Sequence, residues 1–350
     1  SPYRKIKYQL ILDIIKARLE ELFEVCYTKN INIKKFQNSK ILILGGNGFF
    51  AAYIQAALGS AKCKITSVSL NKPKGLFKRI HKKYKINFVQ MDLNNQEKFK
   101  NLFKNKFDFI FHCATYGQPK KWSGNEWGTI NLNINILKFI LDHSVKYKSK
   151  ILFLSSASVY AIPSNGKVIE EGSELGVGNF FNEIIYANSK IIGEKLCELY
   201  KKKHNIPVYI VRPAHTYGPG QDFQDPRVMP QLIKRALIEK KIYMFDKGKT
   251  VRTWGYISDV IIMLLNIIQS GKSLIYNVAG KDHLSIFKVA QTISKLTKNI
   301  PIKIKNKNLK FTNSKPTILK VSSSKYIKEF KPKENISFES GVNKLINWNK

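Results

Sequence analysis

The chain has 350 residues, 43% of them hydrophobic and 12% aromatic, enough to close a full core in a larger and a smaller lobe. Lys and Arg number 60 against 24 Asp and Glu, for a formal net charge of +36, a balance that ordinarily suggests nucleic acid or an anionic surface. Arginine is scarce, however, and base readout and bidentate phosphate recognition favour arginine, so the lysines read as a general solubilising surface and nucleic acid is not the expected partner. No apolar run reaches membrane-spanning length and no signal-peptide pattern opens the sequence, so a cytoplasmic protein without a membrane partner is expected. Cys26, Cys63, Cys113 and Cys197 are widely spaced with no CxxC pair, the pattern of reduced, buried thiols. No metal site is expected.

In chain order, residues 3–27 place Ile6, Leu10, Ile14, Ile15, Leu19, Leu22 and Phe23 at amphipathic-helix spacing. This added element covers the first lobe or pairs with another subunit. Ile41-Leu42-Ile43-Leu44 is a short apolar strand of the buried parallel kind. Gly45 to Gly48 form a turn, and Phe49 to Leu58 a helix closed by Gly59. Further strands are expected at Ile65–Leu70, Ile86–Met91, Phe107–His112, Ile151–Leu154 and Val208–Val211, with helices around Gln96–Phe103, Ile130–Lys146 and Tyr186–Lys203. That alternation predicts an α/β fold built of βαβ units, a doubly wound, Rossmann-like parallel sheet. After Gly218-Pro219-Gly220 the pattern loosens, with helices near Pro230–Glu239, Ser258–Gln269 and Ser285–Leu296, as in a smaller C-terminal α/β lobe.

Gly45-x-x-Gly48-x-x-Ala51 follows a strand and opens a helix. Glycines there permit positive φ and let a pyrophosphate approach the backbone N–H groups of the helix N-terminus. A dinucleotide site of this kind has an acid near the end of the second strand for the adenosine ribose. Here that place holds Leu70 or Asn71, followed by Lys72 and Lys74, which weakens the case for NAD and admits the 2′-phosphate of NADP, unless the two lysines are plain surface. Asp92-Leu93 ends the third strand, where an acid accepts from an adenine amine or simply shapes a turn. His112-Cys113-Ala114-Thr115 ends the fourth, where small residues leave room for the nicotinamide ribose, and His112 reads as a packed strand residue. Asn131 is expected to open the next long helix and to bind backbone near the site.

Tyr186 and Lys190 stand four apart, on one helix face and one turn from each other. A lysine ammonium beside a phenol favours the phenolate, so the phenol can exchange a proton near neutral pH. Ser156, at the end of an apolar strand, can share that proton with a substrate oxygen. These are the parts of a hydride-transfer site acting on an alcohol or ketone. The expected division is an N-terminal helical extension over 1–37, a dinucleotide-binding domain over 38–212, and a mainly substrate-binding lobe over 213–350 from which some segments return to the first domain.

The motifs GGNGFFA from Gly45, HCAT from His112, FLSSASVYA from Phe153, YANSK from Tyr186, RPAHTYGPG from Arg212, VRTWGYISDV from Val251 and YNVAG from Tyr276 occur in this order. With the ending FKP from Phe330 and Trp348, they resemble the extended short-chain dehydrogenase/reductase family, in its nucleotide-sugar epimerase and dehydratase group, over roughly residues 38–348. The resemblance implies that Ser156, Tyr186 and Lys190 are catalytic. Tyr186 is the base, Lys190 holds the cofactor ribose and lowers the tyrosine pKa, and Ser156 positions the sugar hydroxyl. It implies NAD as cofactor, with NADP the alternative, held by Gly45, Asn47, Gly48, Phe49, Phe50, Asn71, Asp92, Leu93, Ala114, Thr115, Tyr116, Asn131, Pro213 and His215 together with Tyr186 and Lys190. It implies a nucleotide-sugar substrate bound by Ser156, His215, Arg227 and Arg252, with Arg252 gripping the diphosphate in a bidentate role suited to guanidinium. His215 stands where the family often has an asparagine. A homodimer is the expected assembly.

In the family's 4,6-dehydratases an Asp–Glu pair directly follows the catalytic hydroxyl, and in its glucuronate decarboxylases a Glu takes the second of those places. Here the residues are Ala157 and Ser158, neither of which exchanges protons usefully near neutral pH. The order is closer to that of the 4-epimerases, so 4-epimerisation through a transient 4-keto intermediate is expected. The alternatives are a 4-keto-sugar reductase, or a decarboxylase or dehydratase whose acids come from Glu170, Glu171 or Glu183 in the loop before Tyr186. A basic, non-catalytic RNA-binding relative is the alternative of another class.

Overall fold

The computed structural model describes residues 33–116, 124–176, 181–221, 223–304, 316–332 and 335–350. The helix expected over 3–27 lies outside the described residues. In chain order the strands are β1 Lys40–Leu44, β2 Lys64–Ser69, β3 Asn87–Gln90, β4 Phe109–His112, β5 Lys150–Leu154, β6 Val168–Ile169, β7 Val208–Pro213, β8 His215–Tyr217, β9 Ile242–Met244, β10 Val251–Tyr256, β11 Ile275–Val278, β12 Asp282–Ser285, β13 Ile302–Ile304 and β14 Ile318–Val321. The helices are α1 Phe49–Ser60, α2 Gly75–Lys83, α3 Gln96–Leu102, α4 Glu126–Asn133, α5 Asn135–Tyr147, α6 Phe181–His204, α7 Val228–Lys234 (continued by a π turn Arg235–Glu239), α8 Ile257–Ser270, α9 Ile286–Leu296, α10 Ser324–Phe330 and α11 Phe338–Asn349.

Seven strands form one sheet in the order β11-β7-β5-β4-β1-β2-β3, and every neighbouring pair in it is parallel. Strand β1 shows why the sheet is covered on both sides. Ile41 and Ile43 pack into one core layer with α1 and α8, and Leu42 and Leu44 into the other with α5 and α6. A strand buried on both faces needs an uninterrupted apolar run rather than alternation. Strand order reverses between β1 and β4, and a crevice at the carboxyl ends of the strands is where such sheets bind ligands.

The long helix expected over 130–146 begins earlier, at Glu126, and breaks at Ile134, where φ is −118° and ψ −67°. Helix α6 begins at Phe181, so Tyr186 lies inside it. Strand β7 continues to Pro213, and the C-terminal half returns a seventh strand, β11, beside it. The loosened pattern after Gly220 hides a second sheet, β12-β10-β14-β6, with β8 also paired to β10. Cys113 and Cys197 are buried, Cys63 is half-buried, and all three are unpaired; Cys26 lies outside the described residues. No described helix is long and apolar enough to cross a membrane.

Helix α6 reaches the sheet because Gly193 has no side chain. A Cβ there would stand 2.7 Å from the Asn133 carbonyl oxygen and 2.8 Å from the Phe153 ring. Gly193→Ala should therefore push α6 away from α4 and β5 and lower the unfolding free energy by about 1–3 kcal/mol, the range for overpacking a dense core. Urea denaturation of the two proteins measures it, and an unchanged midpoint would show that α6 has slack.

Candidate active site

The turn after β1 is drawn tightly against the neighbouring strands. Gly45 and Gly46 donate their N–H groups to the Val68 carbonyl at 2.9 Å, and Gly48 donates to Gly45 at 2.8 Å. Gly45 has φ +82°, and a Cβ on it would meet the Ala114 backbone at 2.7 Å, so the close approach of β1 to β4 requires glycine. Gly48 caps α1 with no side-chain hydrogen bond, which leaves the first N–H groups of the helix, at Phe49 and Phe50, to be satisfied from outside it. Asn47 donates to the Asn71 carbonyl at 2.5 Å, tying the turn to the loop after β2. Asn47 Oδ1 and Thr115 Oγ1 are buried without a hydrogen-bond partner among the described residues.

Asp92 is exposed at the end of β3, and its Oδ1 accepts from the Asn94 backbone N–H at 2.9 Å and side-chain amide at 3.1 Å. Leu93 and Ala114 are buried, and Tyr116 is half-buried. Asn131 does not open a helix. It lies within α4, where it donates to Asn94 at 2.8 Å and accepts from Asn135 at 2.9 Å, so its partners are side chains and not the backbone contact expected. The asparagine that reaches α6 is Asn133, fully buried, donating to Ser189 Oγ at 2.9 Å, which donates to the Tyr186 carbonyl at 2.8 Å. His112 is a packed strand residue as expected: it contacts the Leu132 carbonyl at 2.8 Å and stacks on Phe153, and burial first, then the Lys190 charge, push its pKa down to about 3.

Ser156, Tyr186 and Lys190 come together at the carboxyl end of β5. Ser156 opens a short turn over Ala157–Val159, with its Oγ accepting from the Ser158 N–H at 3.1 Å, and it is hydrogen-bonded to the Tyr186 hydroxyl. Lys190 is 1% exposed and donates to the Leu154 carbonyl at 2.7 Å. Its Nζ lies 4.7 Å from the centre of the Phe153 ring and 6.0 Å from that of Tyr186. The expected depression of the tyrosine by the lysine is absent. Burial pushes the Tyr186 hydroxyl up to about 12 against the pull of Ser156, and burial lowers Lys190 from 10.5 to about 7. Desolvation disfavours both charged forms, and the ammonium is turned toward a carbonyl rather than the phenol.

Behind the three residues lies a network with no signature in the sequence. Glu194, one turn beyond Lys190, receives two bonds from Arg212, Nε to Oε1 at 2.9 Å and a terminal nitrogen to Oε2 at 2.5 Å, and one from Ser155 at 2.5 Å. Arg212 also donates to the Tyr160 hydroxyl at 2.8 Å and the Glu171 carbonyl at 3.0 Å, and Tyr160 donates to Asn277 at 2.6 Å. Burial works against the guanidinium charge, yet the Glu194 carboxylate and Tyr160 hold Arg212 above its usual pKa.

His215, Arg227 and Arg252 also converge, although they lie on β8, at the start of α7 and on β10. His215 is exposed at one side, while desolvation first, then the charges of Arg252 and Arg227, lower its pKa to about 3. Arg252 is held by the Val251 carbonyl at 2.8 Å, the Thr317 carbonyl at 3.0 Å and Thr317 Oγ1 at 2.8 Å. Arg227 is bonded to the Asp225 carboxylate and lies 5.6 Å from the centre of the Phe49 ring, which brings it to the glycine turn. Pro213 ends β7, paired with Val278. Among the described residues no cluster of His, Cys, Asp and Glu could hold a metal ion.

Residues 41–279 match the NAD dependent epimerase/dehydratase family, and the chain belongs to it. It is 27% identical to the UDP-N-acetyl-alpha-D-glucosaminuronate decarboxylase of Bacillus cytotoxicus, covering 88% of this chain and 97% of that one. It is 29% identical to the bifunctional polymyxin resistance protein ArnA of Wigglesworthia glossinidia brevipalpis over 73% of this chain, and spans only 40% of the length of that relative. The fold is that of the UDP-glucuronic acid 4-epimerase of Bacillus cereus, crystallised with UDP-glucuronic acid and NAD, with a TM-score of 0.74, 23% identity, and 88% and 98% of the two chains covered.

The lysine shift has a consequence for stability. The folded value of Lys190, about 7, lies below its usual 10.5, so over that window the unfolded chain binds the extra proton and stability rises with pH. The cost of burying Lys190 is largest below pH 7 and fades toward 10.5. Lys190→Met should therefore gain stability relative to wild type most below pH 7 and lose that advantage as pH rises. Urea unfolding of both proteins across this range measures the difference; a flat difference would mean that Lys190 keeps its ordinary pKa.

Proposed function

We propose that this member of the NAD dependent epimerase/dehydratase family interconverts C4 epimers of a nucleotide-activated sugar through a transient 4-keto intermediate. The observation that carries the reading is the meeting of Ser156, Tyr186 and Lys190 at the end of β5, with Ala157 and Ser158, not acids, in the turn that follows. The buried glutamates behind the site are otherwise engaged. Glu194 is held by Arg212 and Ser155, and Glu171 accepts from the Asn277 N–H at 2.8 Å and faces Lys325 at 3.8 Å. Epimerisation needs only a hydride and one proton, and no carboxyl acid. The substrate class is supported by the relatives, whose names carry UDP-linked uronic sugars.

The residues present fit a dinucleotide. The glycine turn offers backbone N–H groups at an uncapped helix start, and the partnerless Asn47 Oδ1 and Thr115 Oγ1 are polar atoms that a ligand would satisfy. Gly45, Asn47, Gly48, Phe49 and Phe50 would hold the pyrophosphate, Asn71, Asp92 and Leu93 the adenosine, and Ala114, Thr115, Tyr116, Pro213 and Lys190 the nicotinamide end. Asn131 supports the Asp92 side through Asn94 and does not reach further. When bound, NAD supplies hydride uptake and return at C4, regenerated in each cycle. Tyr186 takes the C4 hydroxyl proton and gives it back. Its phenol is protonated in the protein alone, ready for the return half, and its ionisation for the first half rests on Ser156 and the Lys190 charge. Ser156 hydrogen-bonds the C4 oxygen. Arg252, Arg227 and His215 surround the substrate diphosphate. In this reading residues 38–212 bind the cofactor and 213–350 mainly the sugar nucleotide, with 257–278 returning to the first sheet, in a cytoplasmic homodimer.

A second reading, decarboxylation, is favoured by the Bacillus cytotoxicus relative; it would draw an acid from Glu183, whose side chain lies outside the described residues. Incubation with UDP-glucose, UDP-glucuronate, their N-acetylated relatives and dTDP-glucose separates the readings. An unchanged mass with a new retention time is the expected result, and loss of carbon dioxide from the glucuronate, or of water from a hexose, would overturn it.

Tyr186→Phe should keep the fold and lower turnover by at least about 10²-fold, the size of a lost general base; a near wild-type rate would remove Tyr186 from the chemistry. Arg252→Ala should raise KM more than it lowers kcat, because a diphosphate contact is made alike in the ground and transition states, with a total loss of about 2–4 kcal/mol for a charge-assisted bidentate pair and the phosphate left bare. A loss confined to kcat would place Arg252 at the reacting carbon.

A further inference from the structure

We propose that the amino end of the seven-stranded sheet, the end opposite Ser156, Tyr186 and Lys190, is a docking face for an anionic lipid bilayer. All seven strands are parallel, so they all start at that end, and the helices between them run back to it. The segments that lead into the strands, 34–40, 61–64, 82–87, 103–109, 146–150, 201–208 and 271–275, hold seventeen lysines, no arginine and one acid, Asp108. Fifteen of the seventeen are exposed, and Lys150 and Lys201 are half-buried. The described segments that leave the strands at the carboxyl end, 45–48, 70–74, 91–95, 113–116, 155–176 and 279–281, hold Lys72, Lys74, Lys167 and Lys281 against Asp92, Glu170, Glu171 and Glu174. The lysine coat is therefore uneven: one end of the sheet is close to neutral, and the other is basic throughout.

A cation is ordinarily favourable in the last turn of a helix, which accounts for Lys82 and Lys83 of α2 and for Lys201, Lys202 and Lys203 of α6. It does not account for Lys40, Lys64 and Lys150, each of which opens a strand. Lys62, Lys85 and Lys148 follow α1, α2 and α5 with φ of +57°, +49° and +56°, the left-handed backbone in which helices commonly end on glycine. A side chain there costs stability, and at three helix ends of this face the side chain is a lysine. Asp108, the one acid, is turned to the backbone, where it accepts from the Lys40 N–H at 2.8 Å.

Seven strands make this end about 30 Å wide at the usual strand spacing, the breadth of many lipid headgroups rather than of one small ligand. A lysine ammonium is a point charge on a flexible stem, which suits headgroups that move in the plane of a bilayer. Nucleic acid would call for guanidinium forks to read bases or for exposed rings to stack on them. These segments have no arginine, Phe36, Phe103 and Phe107 are buried, and Tyr84, Phe109 and Tyr147 are half-buried. Lys83 lies 5.4 Å from the centre of the Tyr84 ring and Lys146 5.0 Å from that of Tyr147. None of the exposed large hydrophobic side chains among the described residues falls in these segments, so the attachment is electrostatic and needs no membrane-spanning helix. A protein docked this way turns Ser156, Tyr186 and Lys190 away from the membrane, with the carboxyl end of the sheet open to solutes.

The test is sedimentation of the whole protein with vesicles of phosphatidylcholine alone, and of phosphatidylcholine and phosphatidylglycerol in equal parts. At about 0.05 M salt the protein should pellet with the mixed vesicles and not with phosphatidylcholine, and at about 0.5 M salt it should stay in solution, because exposed charges are then screened. Each lysine near an anionic surface contributes about fivefold in affinity. The variant Lys82→Gln/Lys83→Gln/Lys202→Gln/Lys203→Gln should therefore bind the mixed vesicles at least about tenfold more weakly. The variant Lys72→Gln/Lys74→Gln/Lys167→Gln/Lys281→Gln, which removes the same net charge from the other end, should stay within about twofold of wild type. All eight side chains are exposed, so both variants keep the fold. An equal loss in the two variants would assign the binding to net charge and overturn the docking face. No pelleting with the mixed vesicles at low salt, or tighter binding to polyuridylate than to the vesicles at the same salt, would overturn the lipid partner.

Discussion

Glu194 and Arg212, 3% and 2% exposed, form the ion pair on which the geometry of the site depends. One charge is on α6 and the other on β7, and the Ser155 hydroxyl closes the group onto the end of β5. Taking two charges out of water costs several kcal/mol each, and an ion pair offsets that only when its remaining donors and acceptors are also satisfied. Here Glu194 accepts three bonds, and Arg212 finds Tyr160 and the Glu171 carbonyl as further acceptors. Such a pair contributes less to net stability than to a single arrangement: loss of either partner leaves a buried charge, at about 3–5 kcal/mol. The arrangement it selects sets the height of α6 along the sheet, and thereby puts Tyr186 and Lys190 beside Ser156.

The same dryness acts on Tyr186 and Lys190. Both are displaced toward their neutral forms by burial. Lysine and tyrosine respond to their surroundings in opposite senses, one losing a proton more easily and the other less, and the two values draw apart from the order that a simple charge–charge argument gives. The phenol is hydrogen-bonded to Ser156 and stands one helical turn from Lys190, so two groups whose protonation burial has shifted in opposite senses share one pocket end.

Six of the seven strands of the first sheet were readable in the sequence as apolar or β-branched segments separated by helices, with Ile41 to Leu44 followed by two glycines the plainest; the seventh, β11, returns from the C-terminal half and carries no such signal. The second sheet was not. Its members β6, β8, β12 and β14 are two to four residues long and half-buried, so neither alternation nor an apolar run marks them, and their pairing spans the chain from Val168 to Val321. The break at Ile134 carries no Pro or Gly to mark it; α4 packs on α6, and α5 on both α6 and β5. The Ser156, Tyr186 and Lys190 positions follow from local spacing, whereas Glu194, Arg212 and Asn133 could be found only once strands far apart in sequence were laid side by side. Asn131 lies inside α4 and bonds Asn94 and Asn135, while Asn133, two residues on and on another face of the same helix, bonds Ser189 of α6.

The charge distribution acquires a meaning from the placement of the guanidiniums. Arg212 is fixed by Glu194, Arg227 by Asp225, Arg235 by the Tyr243 carbonyl and Arg252 by Thr317. A planar fork with five donors is suited to such fixed, directional bonds, and a lysine ammonium on a flexible stem is not. Arg212, Arg227, Arg235 and Arg252 thus stand where position matters, whereas Arg79 is exposed among the lysines, where charge alone suffices. One of those arginines, Arg227, meets the glycine turn over Phe49, and Tyr53 of α1 bonds the Pro219 carbonyl at 2.7 Å. The glycine turn and helix α1 are thus joined by direct contact to the segment that carries Pro219 and Arg227. The lysine surface works in the other way: it sets a long-range field that needs no geometry.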